Sequence, residues 1–226
     1  MRNLLGITVM VASIGALAAA VACSGSSSNV NDAPQDAGPD SPGVHSTEDA
    51  KRAYLGLDKS VDKAITLGFK GYNAASNANI PTQETTGDKT GKMAVGGQVD
   101  QGQSTNKTMR LTDTLTAYSD DGVIAYDTGG GAPAALDMTL NKIPDGTLTG
   151  SLTGSFQMSG AKLEDGGVVS QDAGALVGAV TLNLSFTGQL QPNAADATKV
   201  ERKPGTTHIT GTAVSGAYTY NVDVTR

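Results

Sequence analysis

The sequence predicts an α+β fold that is mainly β: one N-terminal helix packed on a strongly curved antiparallel meander sheet or barrel of about eight strands. Three observations predict it. A single apolar stripe of helical period lies between Thr47 and Tyr72. From about residue 91 onward the hydrophobic period becomes two, and Asp-Gly and Ser-Gly turn signals punctuate it. No second helical pattern follows, so no βαβ crossover can form and the strands must be antiparallel.

The chain opens with Met1-Arg2-Asn3 and an uncharged run from Leu4 to Ala20, the pattern of a secretory leader. Cys23, the only cysteine, follows Ala20-Val21-Ala22. This segment resembles the lipobox of bacterial lipoproteins, with Ala20 where that motif usually has Leu. The resemblance implies cleavage between Ala22 and Cys23 and attachment of a diacylglycerol to the cysteine. Ala20-Val21-Ala22 also meets the ordinary A-x-A cleavage pattern, which cuts at the same place and leaves a free thiol. By the same resemblance, Ser24 rather than Asp after the cysteine implies the outer membrane. The expected organisation is a signal peptide over 1–22, a lipid-anchored tether over 23–46 and one domain over 47–226.

The tether is rich in Ser, Asp, Pro and Gly and shows no apolar period. Beyond it, Ser46 or Thr47 is the candidate N-cap, with Glu48 and Asp49 in the first turn. Tyr54, Leu57, Val61, Ala64, Ile65, Gly68 and Tyr72 form the buried stripe. Asp58 and Asp62 belong by position to the solvated face, and Glu48 and Arg52 make an i,i+4 pair. The helix is expected to end between Gly71 and Asn77, with a loop over 73–90 marked by Pro81.

Alternation then places strands around Met93–Val99, Met109–Ala117 and Leu136–Leu140. It is clearest over 146–158 and 178–190, and a closing hairpin spans 206–214 and 217–225. The turn signals are Asp121-Gly122, Asp145-Gly146, Asp165-Gly166-Gly167 and Ser215-Gly216. The outward faces are almost all Thr, Ser, Asn and Gln. Eight strands span about 38 Å, whereas a helix is about 10–12 Å across. A flat sheet would leave much of its apolar face in water, so the sheet has to curl. Gly97, Gly150, Gly154, Gly188 and Gly211 fall on the apolar parity, where a strand glycine marks a bend or a close approach.

The net charge of −6 and the absence of a basic run argue against nucleic acid as a partner. No catalytic constellation is expected. Asp127-Thr128-Gly129 resembles the aspartic-protease triplet, but it occurs once, and Gly130 replaces the usual Ser or Ala. Asp120, Asp121 and Asp127 lack the calcium-loop spacing and read as a solvated turn. His45 and His208 are too far apart in sequence and too few for a zinc site. Asp113 is the one charge inside an apolar alternation, for which a bulge is expected. No metal or cofactor is expected.

The functional expectation is a lipid-anchored, non-enzymatic protein of the cell envelope. It is held to the membrane by its covalent lipid and has a structural or interaction role towards an envelope protein. The alternative is a carrier of an apolar small molecule inside the curled sheet. Leu148, Leu152, Phe156, Leu182, Leu184 and Phe186 would then line the cavity.

Overall fold

The computed structural model describes residues 42–100, 105–162, 175–197 and 199–226. They belong to one compact unit, Pro34–Arg226. Cys23 and Ala22 and the Asp165-Gly166-Gly167 turn lie outside the described residues.

The expected helix is two, α1 (Thr47–Leu55) and α2 (Asp58–Ala74). Ser46 is the N-cap of α1, its Oγ accepting from the Asp49 N–H at 3.1 Å. Glu48 pairs with Lys51, three residues on, at 2.9 Å. The break falls at Gly56, where the backbone passes so close over the Tyr126 ring that a Cβ would collide with it. The Tyr126 hydroxyl donates to the Ala53 carbonyl at 3.0 Å and seals the junction. Along both helices the stripe is buried as expected, from Tyr54 and Leu57 through Val61, Ala64 and Ile65.

The sheet holds ten antiparallel strands: β1 (Asn79–Thr86), β2 (Thr90–Val99), β3 (Lys107–Ser119), β4 (Ile124–Asp127), β5 (Ala134–Asn141), β6 (Thr147–Gly160), β7 (Gly178–Pro192), β8 (Val200–Arg202), β9 (His208–Ser215) and β10 (Tyr218–Thr225). The fold is α+β and mainly β, a meander as expected. β1 corrects the expected loop over 73–90. Pro81 is tolerated because β1 has a sheet neighbour on one side only, β2, and the register shifts between Ile80 and Gln83.

Nine of the ten strands occupy the eight places of the main path. β5 pairs with Lys107–Asp113 of β3 and Thr147–Thr153 of β6, and β4 pairs with Tyr118 of β3 and Gln157–Gly160 of β6. β4 and β5 are therefore one strand position, opened by residues 128–133. β8 sits off the path, on the end of β7.

α1 packs against β10, at one end of the path, while α2 packs against β1 and β2, at the other, and also touches β3 and β8. Inward residues are buried at every position between, for example Met93, Met109, Leu136, Leu148, Leu184 and Ile209. One helical layer cannot seal a flat sheet of that width, so the sheet is bowed around its own core. Two of the inward glycines let it bend: Gly97 (φ +114°) and Gly211 (φ +147°) take backbone conformations that side chains disfavour. Gly150 serves differently, leaving room for the Phe186 ring.

Residues at the end of the segment expected to be tether are packed on the fold. Gly43 and Val44 are buried, and the Val44 N–H donates to Ser215 Oγ at 3.1 Å.

Candidate functional site

Helix α2 carries most of the chemistry, through three neighbourhoods along its length. At its N-terminus, Asp58 and Asp62 meet Arg202 of β8. Asp62 takes the guanidinium with both oxygens, at 2.7 and 2.8 Å. Asp58 Oδ1 accepts from Arg202 Nη1 at 2.9 Å and from the Tyr54 hydroxyl at 2.7 Å. Arg226 Nε approaches Asp58 Oδ2 at 3.3 Å. Sequence position alone put Asp58 on the solvated face; the structure buries it, because β8 lies over that face of the helix. Burial works to raise the Asp58 carboxyl, but the Arg202 guanidinium and the Tyr54 hydroxyl outweigh it and hold the carboxyl below its ordinary range. Burial first, and then the Asp58 charge, pushes the Tyr54 hydroxyl well above its ordinary value. This seam is a fastener between helix and sheet. Its polar groups are used up in bonds to one another.

One turn on, Lys63 reaches the ends of β2 and β3. Its Nζ donates to Asp120 Oδ1 at 2.6 Å and Asp88 Oδ1 at 2.8 Å, and lies 5.2 Å from the centre of the Tyr118 ring. The Tyr118 hydroxyl donates to the other Asp120 oxygen at 2.6 Å. Asp121 caps the adjacent turn, accepting from the N–H groups of Val123 and Ile124. Asp127 accepts from the Ala117 N–H at 2.9 Å. Asp120, Asp121 and Asp127 thus serve three separate structural bonds. Among the described residues no three acidic, His or Cys side chains gather as a metal site. Asp127-Thr128-Gly129 opens the 128–133 interruption, with Gly129 and Gly130 at positive φ.

At the C-terminal end, α2 forms one wall of a groove of about 640 Å³. Phe69 and Tyr72 of α2, Ile143 from the β5–β6 connection and Val200 of β8 supply its apolar surface. Lys70 and Lys199 stand at it, both exposed. Lys199 also meets Asp196 at 3.1 Å. Lys70 makes no salt bridge among the described residues. Sequence reasoning missed this groove because three distant segments build it.

Inside the sheet, Asp113 faces the core. The β2–β3 register runs unbroken from Lys92 opposite Thr116 to Val99 opposite Met109, so the expected bulge is not at Asp113. It falls nearby, where the register shifts between Thr90 and Lys92 and Ala117 takes φ +46°. Asp113 is 4 % exposed, between Val95 and Ala134 in the ladder, and its Oδ1 has no hydrogen-bond partner. Burial raises the carboxyl from 3.8 to about 7.

Leu148, Leu152, Phe156, Leu182, Leu184 and Phe186 are all buried members of the one hydrophobic cluster. The Phe156 ring meets Tyr126 edge-on at 6.4 Å. None of the six lines the groove on α2. His208 is exposed and pairs with Asp223 at 2.8 Å, while His45 packs beside the buried Val44, far from it in sequence.

The outer face is set by register. One row across the sheet reads Thr108, Thr139, Thr149, Thr187, His208, Thr225. The next reads Arg110, Asp137, Ser151, Ser185, Thr210, Asp223, and a third reads Thr112, Ala135, Thr153, Asn183, Thr212, Asn221. No family model matches the chain, and neither the curated proteins nor the solved structures contain a match to it.

Proposed function

We propose that this is a protein of the cell envelope, anchored in the outer membrane by acylation at Cys23, whose folded unit binds an envelope partner rather than catalysing a reaction. The observation that carries the binding role is the outer face. Three rows of small hydroxyl and amide side chains lie in register across β3, β5, β6, β7, β9 and β10. Their few charges, Arg110, Asp137 and Asp223, include both signs. Such a face offers many hydrogen bonds and little Coulombic attraction, which suits a polar, weakly charged surface. The buried charges of the α2 seam are bonded to each other and hold the scaffold rigid behind that face. The anchor rests on the residues around Cys23 and on the lone thiol they present.

The test has two parts. Mass spectrometry of the whole chain purified from membranes is expected to show a diacylglycerol-modified Cys23 at the N-terminus, and Cys23→Ser to release the protein from the membrane fraction. An unmodified cysteine in a membrane-free protein refutes the anchor. A photo-crosslinking residue at Thr149 or Thr187 is expected to give one discrete adduct in cells, lost when the neighbouring Ser185 becomes Lys. The same diffuse labelling from Thr149, Thr187 and a groove position such as Thr66 refutes the face as the contact.

A further inference from the structure

We infer that the groove at the C-terminal end of α2 binds the tail of a single-chain amphiphile with an anionic head, of the fatty-acid type. This stands apart from the anchor and from the outer face, since it uses neither Cys23 nor the hydroxyl rows.

Three features of the groove select that occupant. Its volume of about 640 Å³ falls within the range of small-molecule sites, about 300–1,000 Å³. Much of its wall is apolar: Val200 is buried, and Phe69, Tyr72 and Ile143 are half-buried side chains already resting on the hydrophobic core. They offer a tail the same surroundings the core offers its own side chains. The charged side chains that line the groove among the described residues are both cations. Lys70 is exposed and without a salt bridge among the described residues, and Lys199 is exposed and pairs with Asp196. This contrasts with the chain as a whole, whose net charge is −6. A neutral apolar guest would leave the two ammonium groups unused, and a multiply charged polar guest would waste the aromatic wall. A carboxylate on an alkyl chain uses both. Thr66 and Asn73 add a hydroxyl and an amide able to bond the head.

The scaffold supports a preformed site. Tyr72 has the Lys107 ammonium 5.3 Å from its ring centre, and Lys107 is itself buried at the start of β3. The Arg202 seam fixes the β8 segment that brings Val200 and Lys199 to the helix. The cost of ordering the site on binding is therefore small.

The experiment titrates dodecanoate and dodecanol into the whole chain, with binding read by calorimetry and by methyl shifts of Ile143 and Val200. Dodecanoate is expected to bind saturably, one per chain, and to move both methyl signals. Lys70→Glu is expected to weaken dodecanoate about five- to tenfold and to leave dodecanol unchanged. Phe69→Ser is expected to weaken both. Lys70 is an exposed side chain, so its variant keeps the test open should Phe69→Ser fail to fold. No saturable dodecanoate binding by the folded protein overturns the inference. So does an unchanged dodecanoate affinity in Lys70→Glu, or binding that leaves the Ile143 and Val200 methyls unmoved. A protein acylated at Cys23 that fails these tests loses the groove proposal and keeps its anchor; one that passes them with a free thiol does the reverse.

Discussion

Asp58 and Asp113 are both carboxyl groups withdrawn from water, and their surroundings are opposite. Asp58 accepts from Arg202 and Tyr54 and has Arg226 beside it. Asp113 stands among apolar side chains with one oxygen unbonded. The seam of α2 and β8 thus holds Asp58 as an anion, whereas the sheet interior drives Asp113 towards its neutral acid. Burial sets the stakes in both places, and the partners decide the sign. The first site fastens the fold. The second weakens it at neutral pH.

The largest effect is expected from removing the partner that makes the difference. Arg202→Met leaves the buried Asp58 with only the more exposed Arg226 guanidinium, at 3.3 Å, beside it, and breaking such a buried pair costs about 3–5 kcal/mol. Urea unfolding at pH 7 measures it. Adding Asp58→Asn removes the stranded charge and is expected to recover part of the loss. If Arg202→Met costs no more than an exposed ion pair, below about 1 kcal/mol, the seam is not the fastener described.

The second prediction concerns pH. The Asp113 carboxyl titrates near 3.8 in the unfolded chain and at about 7 in the folded one. Between those values the folded state keeps a proton that the unfolded state has released. Its contribution to stability is therefore complete below about pH 4 and is lost as pH rises towards 7. Asp58 slopes the other way: its contribution is present above the ordinary carboxylate range and is lost as pH falls through its lowered value. Asp113→Asn removes the first slope and not the second. The variant is expected to match the parent near pH 4 and to exceed it by roughly 2–4 kcal/mol at pH 8. Urea midpoints measured from pH 4 to 8 test this; parallel curves for the two proteins would show that Asp113 does not titrate inside the fold.

The third prediction asks whether the interior around Asp113 is as closed as its burial implies. Gly150 lies on the same inward side, and a Cβ there would come within 2.6 Å of Phe186 Cζ and collide with the Asp137 carbonyl. Gly150→Ala is expected to cost about 1–3 kcal/mol, by overpacking. A smaller loss would mean that Phe186 yields, and that the interior has room for a guest. Thermal denaturation measures it.

The contrast between the two aspartates also marks what was legible in the sequence. Alternation put Leu148, Leu152, Leu182 and Leu184 on the buried face, because a strand's period is strict and its pattern local. The same alternation placed Asp113 inward, but its charge suggested a bulge, and only the register shows that the strand runs straight past it. Asp58 was misplaced for a different reason. Helical period says which face a residue occupies, not what covers that face, and the cover is Arg202, 144 residues away. Leu57 kept the stripe in phase across Gly56, so the break between the two helices left no trace in the pattern. β1 was hidden by Pro81 and by its Asn and Thr content, and β8 is three residues long, too short to show a period. The groove draws on residues 66–73, 143 and 199–200 and is a product of the fold alone.

The smallest effect is expected from one hydroxyl of the seam, which also accepts from Arg202 Nη1 at 3.5 Å. Tyr54→Phe keeps the buried ring and deletes the hydroxyl that donates to Asp58 Oδ1 at 2.7 Å. A hydrogen bond to a charged acceptor contributes about 1.5–3 kcal/mol, and Arg202 remains to hold the carboxylate, so the lower end is expected. The loss carries a pH signature. The Tyr54 hydroxyl is one of the groups that hold the Asp58 carboxyl down, so without it that carboxyl titrates closer to its ordinary value. The difference between parent and variant is therefore largest above the carboxylate range and shrinks as the solution is acidified, because protonated Asp58 no longer depends on that bond. Across pH 5–8, where the Asp113 slope dominates, the two proteins are expected to run parallel. A Tyr54→Phe variant whose deficit instead changes through that window would place the titrating group in the seam rather than in the sheet, and would invert the assignment of the two aspartates.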